Sequence, residues 1–311
     1  MDIFLYFNIN PEFFLFSVFL FCLLVGSFLN VVIYRTPIML KREWKTDCIG
    51  FLSDELKSEE LKERSYIIHD EVVTNRENEK EETFNLSVPR SRCPSCGHQI
   101  TVLENIPVIS WLVLRGKCSK CQSGISIRYP IIELTTALLS VLVAYYFGVQ
   151  WFTLAALFLT WALIALTMID FDTQLLPDNI TLPLLWLGLL ISLLQVSHIS
   201  LQASVIGAMA GYLILWSVYQ MFKLITGKEG MGFGDFKLLA VLGAWLGWQA
   251  LPLILFLSAL VGAIVGISLI LFMGRDKSIP IPFGPYLASA GFISLLWGES
   301  IKQFYFDISG L

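Results

Sequence analysis

Long apolar runs recur through this chain, and they constrain its fold more than any other feature. The first, residues 13–33, is long enough to cross the hydrocarbon core of a bilayer as a helix. Backbone polar groups cannot be left unpaired in lipid, so single spanning segments of this kind are helical. We predict an all-α polytopic membrane protein with about eight transmembrane helices, at residues 13–33, 131–147, 151–169, 180–194, 203–222, 238–248, 253–273 and 283–297.

The composition agrees with a membrane protein and limits the kinds of partner that the protein can bind. Hydrophobic residues make up 56% of the chain and charged residues 15%, with a mean hydropathy of +0.70, which excludes an ordinary soluble domain. The net charge is −4 and the charges do not form one basic face, so we expect a lipid bilayer and no nucleic acid as partner. Asp2 and Glu12 replace the positive start of a signal peptide, which predicts a retained first helix.

The basic residues predict which side of the membrane each loop faces. Between Arg35 and Arg128 lie 15 of the 21 Lys and Arg residues, and cytoplasmic loops carry such an excess. This polar block is therefore expected in the cytoplasm, with both chain termini on the outer side of eight segments. Loops at 170–179 and 223–237 then face the cytoplasm, and Pro37 is expected to end the first helix.

Three regions follow from this pattern. They are a first transmembrane helix at 1–35, a cytoplasmic domain at 36–130 and a seven-helix membrane domain at 131–311. Within the cytoplasmic region, residues 43–82 carry many charges of both signs and few aromatic residues. We interpret this stretch as a solvated insertion, and a docking site for a basic partner is the alternative.

Four cysteines in the cytoplasmic region predict a metal site. Cys93 and Cys96 form one C-x-x-C pair, and Cys118 and Cys121 form a second. Two such pairs complete a tetrahedral zinc shell, which leaves no position for a reacting water and indicates a structural, zinc-ribbon-like domain inserted after the first helix. A disulfide-linked loop is the alternative, but the predicted compartment is reducing. His98 competes as a ligand and is expected at the surface instead.

An acid next to an apolar run suggests where chemistry takes place. Asp235 lies in the segment GMGFGDFK, residues 230–237, and ionisable residues at membrane segments mark functional sites. The glycines beside it, including Gly232 and Gly234, permit unusual backbone conformations and close approach. A solvated acid in a flexible turn is the alternative.

Three carboxylates compete as the partner of Asp235. Asp178 follows Pro177 and is expected to cap the next helix, and Asp172 is expected in solvent. Asp170 ends an apolar run on the same membrane face as Asp235. Two acids in a partly desolvated site share a proton, so one can activate water while the other donates to a carbonyl, as in aspartic peptidases. An ion relay in a transporter is the alternative.

Several segments resemble one known family, the type IV prepilin peptidases. GMGFGDFK and MIDFDTQLLPD resemble the two aspartate segments of that family. GSFLNVVIYR, NIPVISWLVLRGKC, IRYPIIE and IPFGPYLA resemble further family segments and occur in the family order. The resemblance implies that Asp170 and Asp235 are catalytic and that Gly232 and Gly234 belong to the G-x-G-D motif.

The resemblance also implies an activity. It implies a bifunctional enzyme of the bacterial inner membrane, which cleaves the basic leader from prepilins and pseudopilins at the cytoplasmic face. The new N-terminus is then methylated with S-adenosylmethionine; a peptidase without methyltransferase activity is the alternative. The stretch 43–82 is longer than the family pattern leads one to expect. The sequence shows no glycine fingerprint of a dinucleotide-type site, so the methyl donor is implied by resemblance alone.

Overall fold

Helices account for nearly all regular structure in this protein. The computed structural model describes residues 3–56, 83–273 and 281–309. We number the α-helices in chain order as α1 Ile3–Ile9, α2 Pro11–Leu56, α3 Ile109–Val113, α4 Arg128–Phe147, α5 Trp151–Thr173, α6 Asp178–Leu193, α7 Leu201–Thr226, α8 Phe233–Leu246, α9 Leu251–Met273 and α10 Gly284–Ser309. Within these ranges no strand forms, and the extended pairing is limited to two isolated bridges, Arg92 with Gln99 and Lys117 with Gly124.

Five helices are long and apolar enough to cross a membrane. They are Pro11–Phe51, Arg128–Phe147, Trp151–Thr173, Leu201–Thr226 and Trp248–Leu269. The prediction of a helical, multi-spanning membrane protein is therefore confirmed. Helices α6, α8 and α10 fall outside this set, so the count of eight spans stays a prediction.

The chain divides into two compact units. One consists of Met1–Asn30 with Ile127–Leu311, and the other is Val31–Ser126. Both predicted catalytic aspartates belong to the first unit, and the four paired cysteines belong to the second.

The first long helix departs from its predicted end. Helix α2 continues through Pro37 and ends at Leu56, so the prediction that Pro37 stops it is wrong. Proline removes one backbone donor, but the residues after it, Met39-Leu40-Lys41-Arg42-Glu43, are good helix formers and carry the helix on. The start of the predicted insertion is consequently helical, while its residues 57–82 lie outside the described part of the chain.

Helix α8 lies at the centre of the first unit, Met1–Asn30 with Ile127–Leu311. From Leu238 to Trp245 every residue is buried, which is expected of a helix that is apolar on all sides. Helices α6, α7, α9 and α10 all pack against it. The apolar segment 238–248 looked short because the helix starts earlier, at Phe233, and is enclosed by protein.

Glycines bring α7 and α8 into backbone contact. A Cβ atom on Gly207 would lie 2.2 Å from the carbonyl oxygen of Gly243, and one on Gly243 would lie 2.1 Å from that of Gly207. Ser204 Oγ donates to the carbonyl of Ala244 at 2.5 Å on the same face. Small residues of this kind let membrane helices approach closely, so the C-terminal half of α8 packs directly against the backbone of α7.

Candidate active site and cysteine cluster

Asp170 lies in the last turn of α5 and is only 5% exposed. Its Oδ2 accepts a hydrogen bond from the backbone N–H of Gly284 at 3.0 Å. Gly284 is the first residue of α10, where backbone N–H groups have no partner within the helix. The carboxylate is therefore oriented by a helix that begins 114 residues further along the chain.

Gly284 leaves no room for a side chain. A Cβ atom there would lie 2.6 Å from Asp170 Oδ2 and 3.3 Å from Leu176 Cδ2. In the sequence, the surrounding segment is recognisable only as a family motif, and that motif assigns no role to this glycine. The signal that could have found it is the glycine between Pro282 and Pro285, directly before an apolar helix.

Asp235 lies in the first turn of α8 and is 8% exposed. Gly232 precedes the helix with φ −80°, a conformation open to any residue, so positive φ does not explain that glycine. Gly234 is required for space instead, because a Cβ atom there would lie 2.7 Å from Cβ of Leu176. Close approach, rather than backbone freedom, is therefore the structural reason for the second glycine of the motif.

The structure brings Asp170 and Asp235 to one place. Leu176, in the connection between α5 and α6, lies against both Gly234 and Gly284 and so joins the two aspartate-bearing segments. The carboxyl group of Asp170 is near enough for its charge to act on Asp235. Two buried acids in such proximity are suited to share a proton and to act on one water molecule.

The other two acids of this region form ion pairs. Asp172 is exposed, as predicted, and it also receives two hydrogen bonds from the guanidinium of Arg128, at 2.8 and 2.5 Å, which the sequence did not indicate. Asp178 contacts Lys237 Nζ with both oxygens at 2.7 Å. Its predicted capping role is wrong because Pro177 occupies the N-cap position and the Asp178 carboxylate is engaged by the lysine.

The four paired cysteines form one cluster. Their Sγ atoms all lie within 4.8 Å of one another, and all four thiols are free. Cys93 and Cys121 Sγ are 3.7 Å apart, and Cys96 and Cys118 Sγ are 4.0 Å apart. Sulfurs bound tetrahedrally to zinc lie about 3.8 Å from each other, so this donor set fits the metal.

The two cysteine turns share one backbone pattern. Cys93 N–H donates to the carbonyl of His98, and Cys118 N–H donates to that of Ser123, each at 2.8 Å. Ser123 Oγ also lies 3.1 Å from Cys121 Sγ and 3.5 Å from Cys93 Sγ. Hydrogen bonding to Ser123 is the main cause that lowers the pKa of Cys93 to about 6, whereas the pKa of Cys96 in the same cluster is raised to about 11.

Glu104 links the two turns from outside the cluster. It accepts hydrogen bonds from Ser119 Oγ and, at 2.8 and 2.9 Å, from the N–H and Oγ1 of Thr101. His98 Nε2 lies 3.2 Å from the same carboxylate, so this histidine is engaged by Glu104 rather than by the cysteines. The hydrogen bond from Ser119 is the main cause that lowers the pKa of Glu104 to about 2. The sequence pattern did not single out this residue.

Comparison with known proteins places the chain in a family. The model of the bacterial peptidase A24 N-terminal domain matches residues 20–147, and that of the type IV leader peptidase family matches residues 157–267. Proteins named prepilin leader peptidase/N-methyltransferase from Aeromonas hydrophila and Aeromonas salmonicida are 60% and 59% identical, over 93% of this chain and 92% of theirs. The Pseudomonas aeruginosa protein of that name is 50% identical over 97% of this chain and 96% of its own. No solved structure matches significantly. The chain belongs to the type IV leader peptidase family.

Proposed function

We propose that this protein cleaves the leader peptides of type IV prepilins and pseudopilins and then methylates the new N-terminus. The observation that carries the proposal is the pair of buried aspartates, Asp170 and Asp235, brought together at the ends of two helices. Relatives that align over nearly the whole chain bear a name that states both activities.

The two aspartates would divide the work of peptide hydrolysis. The ionised member takes a proton from a water molecule, which attacks the scissile carbonyl directly, while the protonated member donates to the carbonyl oxygen. No acyl-enzyme forms because neither acid attacks the peptide. Gly284 N–H holds Oδ2 of Asp170, and the other carboxylate oxygen would act on the water.

The substrate dictates where this site must lie in the membrane. A prepilin has a basic leader followed by an apolar helix, so its scissile bond lies at the inner headgroup boundary. We place the protein in the bacterial inner membrane with eight spans, periplasmic termini, and both the aspartates and the cysteine region on the cytoplasmic side. The proposed regions are 1–35, 36–130 and 131–311, with the last forming the peptidase.

Two small partners belong to the proposal. Cys93, Cys96, Cys118 and Cys121 would hold one structural zinc ion, which contributes folding stability to a small unit and leaves no coordination position for a reacting water. S-adenosylmethionine would supply the methyl group, as the second half of the relatives' name implies. Gly232 and Gly234 support the aspartate motif.

Mass spectrometry of a purified prepilin incubated with the full chain in detergent tests both activities. We expect loss of the leader without S-adenosylmethionine, and a further gain of one methyl group on the mature N-terminus when it is added. An intact prepilin under both conditions, together with ion or solute movement in vesicles, would replace the peptidase by a transporter. Cleavage without methylation would reduce the proposal to a peptidase.

Changing Gly284 to alanine should slow cleavage by about 10²-fold, the loss expected when a reacting group moves by about 1 Å. The added Cβ would fall 2.6 Å from Asp170 Oδ2 and would push the carboxylate away from the backbone N–H that holds it. The rate of leader removal by purified variants measures this effect.

Two glycines on the same helix provide controls for Gly284→Ala. A Cβ on Gly298 would meet Ser294 Cβ at an ordinary 3.7 Å, so Gly298→Ala should retain the normal rate. A Cβ on Gly291 would lie 2.4 Å from Leu242, so Gly291→Ala should lower thermal stability through packing alone. If Gly284→Ala cleaves at the normal rate, the contact with Asp170 is not needed.

A further inference from the structure

An ion pair joins α8, the helix that carries Asp235, to α6, the helix that follows Asp170 in the chain. Lys237 follows Asp235 by two residues in α8, and its Nζ lies 2.7 Å from both carboxylate oxygens of Asp178. Asp178 is the first residue of α6. The pair therefore links two helices through residues 59 apart in the chain, immediately beside the aspartate site.

The connection between Asp170 and Asp178 is short, and an ion pair fixes the chain on each side of it. Residues 174–177 join the end of α5 to the start of α6. On the α5 side, Arg128 at the start of α4 binds Asp172 through two parallel hydrogen bonds, and on the α6 side Lys237 binds Asp178. Between these two ion pairs, Leu176 packs against Gly234 and Gly284.

This arrangement is better suited to fixing geometry than to adding stability. The Asp178 side chain is 55% exposed and that of Lys237 is 28% exposed. Exposed ion pairs add little to the free energy of unfolding. A small displacement of a reacting group, by contrast, lowers the rate of catalysis steeply. Loss of the pair should therefore reduce the rate of the chemical step while the fold is retained.

We propose that Lys237 and Asp178 are positioning residues, whose ion pair holds the start of α8, and with it Asp235, at the working distance from Asp170. The inference rests on the proposed peptidase function of those two aspartates. Neither residue of the pair needs to touch the reacting peptide, because the contact acts through the helix start and the short connection.

A direct role in substrate binding makes a different prediction. Asp178 is exposed at the predicted cytoplasmic side, where a carboxylate can also attract a basic leader. If Asp178 binds the leader, reversing its charge raises KM, and no change at Lys237 repairs the loss. If the pair positions α8, exchanging the two charges restores the contact and therefore kcat.

The test compares kcat and KM for prepilin cleavage by the full chain in detergent. We expect Lys237→Ala and Asp178→Ala each to lower kcat by about 10- to 10²-fold, with KM changed by less than about twofold. Lys237→Arg should retain most of the rate, and the double variant Asp178→Lys with Lys237→Asp should recover at least about tenfold over either single reversal. The pair Lys302 with Glu299, within α10, is the matched control, and its exchange should change nothing.

Hydrogen–deuterium exchange gives a readout that does not depend on cleavage. Lys237→Ala should speed exchange in residues 171–179 and at the start of α8, and the charge exchange should reverse this. Normal kcat and unchanged exchange in Lys237→Ala would overturn the proposal, as would a raised KM that the double variant fails to correct. If the wild-type protein does not cut prepilins but hydrogen–deuterium exchange changes as described in Lys237→Ala, the ion pair still positions the start of α8 and the proposed peptidase function fails.

Discussion

Replacing either Asp170 or Asp235 with asparagine should abolish leader cleavage, lowering kcat by about 10⁴-fold, the upper range for loss of general acid–base catalysis. Asparagine has nearly the same shape as aspartate, and its carbonyl oxygen can still accept the hydrogen bond that Gly284 N–H gives to residue 170. It cannot take a proton from water or return one. The rate of leader removal under single-turnover conditions measures the loss.

The interpretation of these variants depends on retained structure. Each should insert into the membrane, bind zinc and show a thermal unfolding transition close to that of the unchanged protein. Asp307→Asn, an exposed residue of α10 away from the site, is the matched control and should cleave normally. Robust cleavage by either single variant at the site would remove that aspartate from the mechanism.

The pairing of the two aspartates could be predicted because the position of each acid along the sequence is itself informative. Asp170 and Asp235 each adjoin an apolar run, and the positions of those runs predict that both residues lie on one membrane face. The contribution of Gly284 was not predictable in this way. It acts through a backbone N–H that every residue except proline possesses, and through a contact 114 residues distant.

Local rules failed where a distant residue offered a better partner. Asp178 follows a proline before a helix, which favours a capping role, but Lys237 lies within reach and takes the carboxylate. Pro37 marks a helix end by local rules, yet α2 continues to Leu56. The two cysteine turns were predictable because the hydrogen bonds that shape each turn are local. They join Cys93 to His98 and Cys118 to Ser123.

Replacing Cys93 or Cys118 with serine should weaken zinc binding by at least about 10²-fold, because each removes one of four thiolates that share a total of about 10–16 kcal/mol in small zinc domains. Both are the buried members of their pairs, so a hydroxyl at either position would also face a dry site. Metal analysis of the purified protein and competition with a chromogenic chelator measure the loss. Unchanged metal content in both variants would refute the zinc site.

Loss of zinc should affect methylation more than cleavage. The cysteines belong to the unit Val31–Ser126, whereas Asp170 and Asp235 belong to the other compact unit, with its own packed core around α8. Cleavage and methylation of the same prepilin should therefore separate in Cys93→Ser, with most cleavage retained and methylation lost. Cys48→Ser, an exposed cysteine outside the cluster, should keep the metal and both activities. If cleavage falls in parallel with methylation in the cysteine variants, the peptidase site depends on the zinc-bound unit, and the two activities are not carried by separable parts of the chain.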